Sequence, residues 1–359
     1  MCHVAFVRPT FRLSDWQHYV TVNKRFADAI VEEATRQDPL VLIQDYHLSL
    51  LPLMLRQRLP AATILAFWHI PWPNSEMFGV CPWRREIIHG LLGSSILGFQ
   101  TQLHCNNFFD TVDRFVESRI DRERASVVIA GRQTMVRPYP ISIEWPPSAL
   151  AAQASVLECR AAVRQHFGLA SHVKIAVGVE RLDYAKGILE RMKAVDSLLN
   201  RRRGRLVLVQ AAAPTRSKLA TYAMLQQDAA RLAEEINARH GDCAYKPIVL
   251  VQRHHEPCEV FELLRAADVC IVSSLHDGMN LVAKEFVAAR DDNQGVLLLS
   301  TFTGASRELT EALPVNPHDT DAFDAAIEQA LLMPADEQRM SCASATPAHQ
   351  AVAPAAALA

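Results

Sequence analysis

Short apolar runs alternate with amphipathic stretches along the chain, a pattern typical of parallel sheets covered by helices on both faces. Apolar side chains recur at helical spacing over residues 14–36, and a buried strand is predicted next at 40–43. Further strands are predicted at 63–68 and 95–99, helices at 84–92 and 101–115, and a turn between two strands around Gly131. The pattern therefore predicts a Rossmann-like α/β domain over residues 1–146.

A second series of strands and helices predicts another Rossmann-like, doubly wound domain over residues 171–334. Its strands are predicted at 173–179, 206–211, 248–251, 268–273 and 296–300, and its helices at 217–239, 281–290 and 319–333. Residues 147–170 are interpreted as the connection between the domains, and the Ala/Pro-rich residues 335–359 as a disordered tail. Because no Gly-rich phosphate loop precedes the first helix, we expect the first domain to be incomplete.

Composition narrows the classes of function. A chain of 359 residues fits two α/β domains, and its formal net charge of −2 argues against a nucleic-acid partner. The sequence shows no apolar run long enough to span a membrane and no secretory signal, so we expect a cytoplasmic protein without a membrane partner. The eight cysteines are scattered without ligand spacing, which predicts reduced thiols and no metal site.

Polar residues follow two consecutive predicted strands of the first domain. Ligands of open parallel sheets bind beyond the carboxyl ends of the strands, where Asp45 and His69 stand. Each residue also has an ordinary structural interpretation. Asp45 is equally well explained as the N-cap of the following helix, and His69 taken alone is better explained as a core histidine bonded to backbone. These residues are candidates, and the pattern leaves both interpretations open.

Two cations follow the first strand of the second domain. Arg181 and Lys186 stand close to Gly187 at a predicted helix start. They could be solvated surface charges, but positive groups at a helix start oppose the helix dipole unless an anion lies beside them. This spacing therefore favours a site for phosphate oxygens.

The stretch from Asp277 to Glu285 is the most informative cluster of the sequence. Gly278 and Asn280 permit a tight turn, and the helix that begins near Leu281 directs free N–H groups outward. Glu285 lies one turn into that helix, where a carboxylate can hold ribose hydroxyls. The side chain of Lys284, beside it, adds charge or is simply solvated. The two clusters together predict a cleft for a phosphorylated ligand.

Six stretches resemble glycosyltransferase family 20, the family of the trehalose-6-phosphate and glucosylglycerol-phosphate synthases. They are DYHLSLLP (45–52), FWHIPWPNSEMF (67–78), LLGSSILGFQT (91–101), VERLDYAKGILER (179–191), PTR (214–216) and DGMNLVAKEFVA (277–288). The likeness extends from the first helix to about residue 333. It implies a GT-B fold, in which two Rossmann-like domains face each other across a cleft. It also implies transfer of glucose from UDP-glucose to glucose 6-phosphate with retention of configuration.

The resemblance assigns roles to individual positions. Arg181 and Lys186 would stabilise the departing diphosphate, with His69 near the reacting carbon and Ile70 beside it as a determinant of anomer selectivity. Further donor contacts are implied for His255, Asp277, Leu281, Val282, Ala283, Lys284 and Glu285. Asp45 and Arg216 would contact the acceptor sugar phosphate. Because the leaving diphosphate itself takes the acceptor proton, the reaction needs no protein nucleophile, and the two cations take the place of a metal.

Three departures from the family keep other interpretations open. The sequence has no N-terminal segment with a phosphate-binding arginine and paired glycines, it carries His255 where an aromatic residue often lies near the uracil, and it ends in the Ala/Pro tail instead of a closing helix. The alternatives are a synthase that uses glycerol 3-phosphate, a non-catalytic nucleotide- or partner-binding remnant and, as the weakest, a GT-B sugar-nucleotide epimerase. The sequence is compatible with a homo-oligomer.

Overall fold

A computed structural model describes residues 9–201, 206–243 and 245–339. The chain divides into two compact units between Ile141 and Ser142. Each unit is an α/β fold with its own six-stranded sheet, so the predicted fold class is confirmed.

The first unit contains a mostly parallel sheet in the order β1-β2-β3-β6-β5-β4. Its strands are β1 (Leu40–Gln44), β2 (Thr63–Trp68), β3 (Ile96–Phe99), β4 (Arg119–Asp121), β5 (Ser126–Ile129) and β6 (Arg132–Pro138). Its helices are α1 (Leu13–Glu33), α2 (Leu51–Arg58), α3 (Ser75–Gly79), α4 (Arg84–Leu91) and α5 (Gln102–Phe115). The predicted turn is a two-residue hairpin between β5 and β6, in which Ala130 and Gly131 both have positive φ. The short strand β4 is not predicted from the sequence.

Aromatic packing holds the segment that follows β2. Trp72 is 1% exposed and stacks on Phe78 at a ring-centroid distance of 4.4 Å. Its indole N–H donates to the Thr111 hydroxyl on α5 at 3.0 Å, so its polar group is satisfied. Phe99 and Phe108 pack against the same indole edge-on. Because Trp72 lies three residues after His69, this core fixes where the chain leaves the sheet.

The second unit is a fully parallel sheet in the order β12-β11-β10-β7-β8-β9. Its strands are β7 (Lys174–Arg181), β8 (Leu206–Ala213), β9 (Ile248–Val251), β10 (Val269–Val272), β11 (Val296–Ser300) and β12 (Leu313–Val315). Its helices are α6 (Val156–Phe167), α7 (Ile188–Arg201), α8 (Ala220–His240), α9 (Pro257–Ala266), α10 (Leu281–Ala289) and α11 (Thr320–Leu332). Central strands β7 and β8 are buried almost throughout, as expected when helices cover both faces of a parallel sheet.

The strand order of the second sheet reverses between β7 and β10. From β7 the chain proceeds through β8 to β9 on one side, and then returns to place β10, β11 and β12 on the other side. In open parallel sheets, the crevice beyond the carboxyl ends of the strands at such a reversal is the usual ligand site. The ends of β7 and β10 are therefore the topologically favoured position for a ligand in this unit.

Two predicted segments differ from what the structure describes. The connection predicted at 147–170 contains α6, which packs on α9, and the Gln153 side chain donates to the carbonyl of Cys258 at 3.0 Å. This segment therefore belongs to the second unit. The tail was predicted to begin at 335, but residues 335–339 are helical, and the Gln338 amide oxygen accepts the Gly295 N–H at 2.8 Å. Residues 340–359, like 1–8, lie outside the described residues.

Candidate functional site

Asp45 joins the ends of the first two strands of the first unit. It follows β1 directly, and its Oδ1 accepts the backbone N–H of His69, which follows β2, at 3.1 Å. Asp45 has φ of +66°, a conformation that costs energy for any residue other than glycine. Its side chain makes no capping bond to the following 3₁₀ turn, so the N-cap interpretation is wrong. The strained backbone instead directs the carboxylate toward the end of β2.

His69 is half-buried, and its ring has a specific side-chain partner. Its Nε2 lies 2.6 Å from the amide oxygen of Gln44, the last residue of β1. The interpretation of a core histidine bonded to backbone is therefore wrong, because the ring partner is a side chain. Burial lowers the pKa of His69, although the nearby Asp45 charge works in the opposite direction. A lowered pKa keeps the imidazole neutral at pH 7. Ile70, the next residue, packs against the core of the first unit.

Lys186 and Asp277 lie together in the second unit, beyond the ends of β7 and β10. The Lys186 Nζ is 2.6 Å from Asp277 Oδ2, although the two residues are 91 positions apart in the chain. The Leu275 N–H also donates to the Ala185 carbonyl at 2.7 Å, which ties the loop after β10 to the loop after β7. The structure therefore brings these two predicted site residues together at the strand-order reversal.

Asp277 is held by three side-chain donors on a single oxygen. Its Oδ2 accepts from Lys186, from the Ser274 hydroxyl at 3.2 Å and from the Asn280 amide at 3.1 Å. Burial alone would raise the pKa of Asp277, but the charge of Lys186 and these hydrogen bonds outweigh burial and lower the pKa. Among the described residues, Oδ1 has no hydrogen-bond partner. The carboxylate is thus ionised and fixed on one side, and it offers a free acceptor on the other.

The start of helix α10 adjoins this carboxylate. Asn280 is the N-cap, and its Oδ1 accepts the Ala283 N–H at 3.1 Å while its amide group holds Asp277. Its φ of +108° is a second strained conformation at a predicted site. The N–H groups of Leu281 and Val282 precede the intrahelical hydrogen bonds and lie at the positive end of the helix dipole. These N–H groups offer positive potential close to the Lys186–Asp277 pair.

Helix α10 carries one acidic and one basic residue, Glu285 and Lys284, whose environments differ. Burial raises the pKa of Glu285, and its carboxylate has no side-chain partner within the part of the chain that is described. Lys284 is fully buried and pairs with Glu308 Oε2 at 3.0 Å. The interpretation of Lys284 as a solvated side chain is therefore wrong, and its charge is compensated inside the protein.

The remaining predicted residues of the second unit whose polar side chains are not yet described are Arg181, Arg216 and His255. Arg181 is the exposed last residue of β7 and forms no ion pair with any described residue. Arg216, at φ of +49°, donates to the Tyr222 hydroxyl at 3.1 Å. The His255 ring is 6% exposed, and burial, followed by the charge of Arg253, lowers its pKa. Asp45 and Arg216, both predicted to hold the acceptor, belong to different units.

Several residues that shape the site were missed in the sequence. Gln44 of the first unit and Ser274 of the second contact predicted residues directly, and Arg191 lies fully buried beside Ser273 in the second unit. The available signal was position, because Gln44 and Ser274 each directly follow a predicted strand. Among residues 9–201, 206–243 and 245–339, no group of three or more His, Cys, Asp or Glu side chains is arranged as a metal site. No helix in those ranges has the length and apolar character needed to cross a membrane.

Comparison with known proteins identifies relatives of this arrangement. The sequence profile of glycosyltransferase family 20 matches residues 3–349. The chain is 38% identical over 348 residues to a trehalose-6-phosphate synthase of Mycobacterium avium, with 94% of this chain and 70% of the relative covered.

Solved structures agree with the sequence match. An α,α-trehalose-phosphate synthase (UDP-forming) from Burkholderia xenovorans in complex with glucose-6-phosphate superposes with a TM-score of 0.88 at 30% identity, covering 95% of this chain and 77% of that one. The E. coli protein described as trehalose-6-phosphate bound with UDP-2-fluoro glucose gives a TM-score of 0.89 at 33% identity, covering 96% and 76%. The chain is thus similar in sequence and in fold to enzymes of trehalose synthesis.

Proposed function

The chain belongs to glycosyltransferase family 20, a family of hexosyltransferases, and from this premise we propose that it moves glucose from UDP-glucose to glucose 6-phosphate and forms α,α-trehalose 6-phosphate. The observation that carries the proposal is the convergence of Lys186, Asp277 and the start of α10 at the reversal of the second sheet. A cation, an ionised carboxylate and free amides at one point suit a sugar joined to a diphosphate.

Each part of the donor has a suitable group. Lys186 and the N–H groups of Leu281 and Val282 offer positive potential to the diphosphate, and Arg181 adds a cation that no described residue neutralises. The free Oδ1 of Asp277 accepts a sugar hydroxyl. Glu285, half-buried and without a side-chain partner among the described residues, accepts from ribose hydroxyls.

The proposed transfer requires no nucleophile from the protein. The bond from the anomeric carbon to the β-phosphate oxygen breaks, and the acceptor oxygen bonds to the same face of that carbon. The acceptor proton passes to the departing phosphate oxygen as UDP leaves. Because the new bond forms on the face that the phosphate occupied, the α configuration is retained. Positive groups at the diphosphate stabilise the charge that develops there, which is commonly the largest single contribution to catalysis. The neutral ring of His69 offers a hydrogen-bonding group without adding charge near the developing oxocarbenium ion.

The acceptor is proposed to be glucose 6-phosphate, held by Asp45 and Arg216. The support is the similarity to the Burkholderia xenovorans synthase, which is described in complex with that compound. Glycerol 3-phosphate remains the alternative acceptor, and a nucleotide-binding remnant the alternative without catalysis.

A single set of measurements separates these functions. UDP release from UDP-glucose is followed with glucose 6-phosphate, with glycerol 3-phosphate and without acceptor, and the product linkage is read by NMR. We expect release only with glucose 6-phosphate and a product with both anomeric centres α. Release only with glycerol 3-phosphate would establish the alternative synthase. UDP binding by calorimetry without turnover would establish the remnant.

A further inference from the structure

A buried arginine lies directly behind the candidate donor site. Arg191, in the first turn of α7, is fully buried, and its guanidinium bonds to three neighbouring segments of the second sheet. It donates to Glu180 near the end of β7 at 2.6 and 3.2 Å, and to Gln210 of β8 at 2.6 Å. Its Nε donates to the Ser273 hydroxyl, just after β10, at 3.1 Å. One side chain therefore links β7, β8 and the segment that follows β10.

The hydrogen bonds continue from this guanidinium to the cation loop. The Ser273 hydroxyl that accepts from Arg191 donates in turn to the carbonyl of Gly187 at 2.8 Å, with the carbonyl of Lys186 at 3.3 Å. On the other side, Glu180 immediately precedes Arg181. Arg191 is thus connected to both cations proposed to face the diphosphate. It reaches Arg181 through the preceding residue, Glu180, and the Lys186 loop through the Ser273 hydroxyl.

Two glycines keep space for this arrangement. A Cβ at Gly178 would lie 1.8 Å from Arg191 Nη1, which is incompatible with the buried guanidinium. A Cβ at Gly187, which has φ of +65°, would lie 2.1 Å from the Ser273 carbonyl oxygen. Glycine at both positions allows the guanidinium and the Lys186 loop to approach the sheet closely. The local backbone is therefore built around this one side chain.

We propose that Arg191 is a positioning residue for donor binding, which holds Arg181 through Glu180 and holds the Lys186–Gly187 loop through Ser273. This inference rests on the proposed function, since it assumes that these cations bind a nucleoside diphosphate. The planar guanidinium is essential, because its donors reach Glu180, Gln210 and Ser273 at once. A lysine would keep the charge but present a single donor nitrogen.

The test uses UDP itself as the probe, with calorimetry for binding and steady-state assays for turnover. Arg191→Lys is expected to raise the UDP Kd and the UDP-glucose KM about tenfold or more, and Ser273→Ala about fivefold, with the KM for glucose 6-phosphate unchanged. The matched control is Ser197→Ala, at a position further along α7. It removes the hydrogen bond from the Ser197 hydroxyl to Asp324 of α11 and is expected to leave UDP binding unchanged.

A double variant separates positioning from folding stability. Glu180→Leu with Arg191→Met replaces a buried ion pair by apolar groups, a change that is often neutral or stabilising for folding. We expect a melting temperature near that of the wild type together with weakened UDP binding.

Unchanged UDP binding in folded Arg191→Lys and in the double variant would overturn the inference while leaving the proposed function intact. Wild-type protein that binds UDP without transferring glucose would overturn the proposed function but leave the Arg191 test valid. Wild-type protein that ignores UDP would overturn both.

Discussion

The strand ends of the two units carry different kinds of polar site. In the first unit, the Asp45 carboxylate accepts the backbone N–H of His69, and the neutral ring of His69 is held by the side chain of one glutamine, Gln44. In the second unit, two ion pairs lie at the strand-order reversal, the partly buried Lys186–Asp277 and the buried Arg191–Glu180. Both units use strained backbone, at Asp45 and at Asn280.

Under the proposed function, the difference follows from what each site would hold. A diphosphate carries concentrated negative charge, so its site needs cations that are rigidly placed, and buried cations persist only when they are paired. The sugar ring of the acceptor presents neutral hydroxyls, which a carboxylate and a neutral imidazole can hydrogen-bond, and Arg216, proposed for the acceptor as well, belongs to the second unit. Substitutions at Lys186 should therefore affect donor use most, and substitutions at Asp45 should affect acceptor use.

The largest effect is expected from Lys186→Met. Loss of this ammonium removes charge stabilisation at the departing diphosphate, and kcat/KM for UDP-glucose should fall on the order of a hundredfold or more. The matched control is Lys174→Met, because Lys174 begins the same strand that leads to Lys186 and pairs with Asp268 at 3.3 Å. A loss below about tenfold would contradict the assignment of the donor site.

A smaller, acceptor-specific effect is expected from Asp45→Asn. Asparagine tolerates positive φ and keeps an oxygen for the His69 N–H, so the fold should persist while the charge is lost. The KM for glucose 6-phosphate should rise about tenfold, with the KM for UDP-glucose unchanged. Initial rates over both substrates measure this, with exposed Asp38→Asn as the control. A rise in the donor KM instead would break the division between the units.

The pH dependence tests the neutral histidine. Because burial lowers the pKa of His69, the folded protein favours the neutral ring, and this preference stabilises the fold above the ordinary histidine pKa. That stabilisation is lost as pH falls through the lowered value. The acid limb of kcat should therefore lie below about pH 6.5. His69→Gln, which cannot titrate, should remove the limb. A limb above pH 6.5 that disappears in His69→Gln would contradict the neutral ring.

The smallest effect on donor use is expected from Lys284→Met. This ammonium is buried and compensated by Glu308, so the KM for UDP-glucose should change less than about threefold. The melting temperature should fall, and this loss of stability should be clearer than the loss of activity, because the substitution leaves Glu308 without its lysine partner. The comparison with Lys186→Met is direct, because Lys186 pairs with Asp277 just before α10 and Lys284 lies within α10. A donor effect as large as that of Lys186→Met would show that Lys284 also serves the diphosphate.

Much of the site was predictable because its residues are local in sequence. The run from Asp277 to Glu285 contains the turn, the helix start and the carboxylates within nine positions, so the pattern predicts an anion site, and in the structure α10 begins there with Asn280 as its N-cap. The bond between Gln44 and His69 was not predictable in the same way. It joins residues 25 positions apart, and only the pairing of β1 with β2 brings them together.

The amino-acid sequence alone determined the alternation of strands and helices, the fold class and the residue types offered at the strand ends, because these depend on periodicity and local backbone preference. The tertiary structure decided which of those residues meet and which charges are compensated. Lys284 and Lys186 are both lysines near predicted helix starts, yet one is buried against Glu308 and the other faces Asp277. Burial and ion pairing depend on partners brought close by packing of distant segments, and no local pattern specifies those partners.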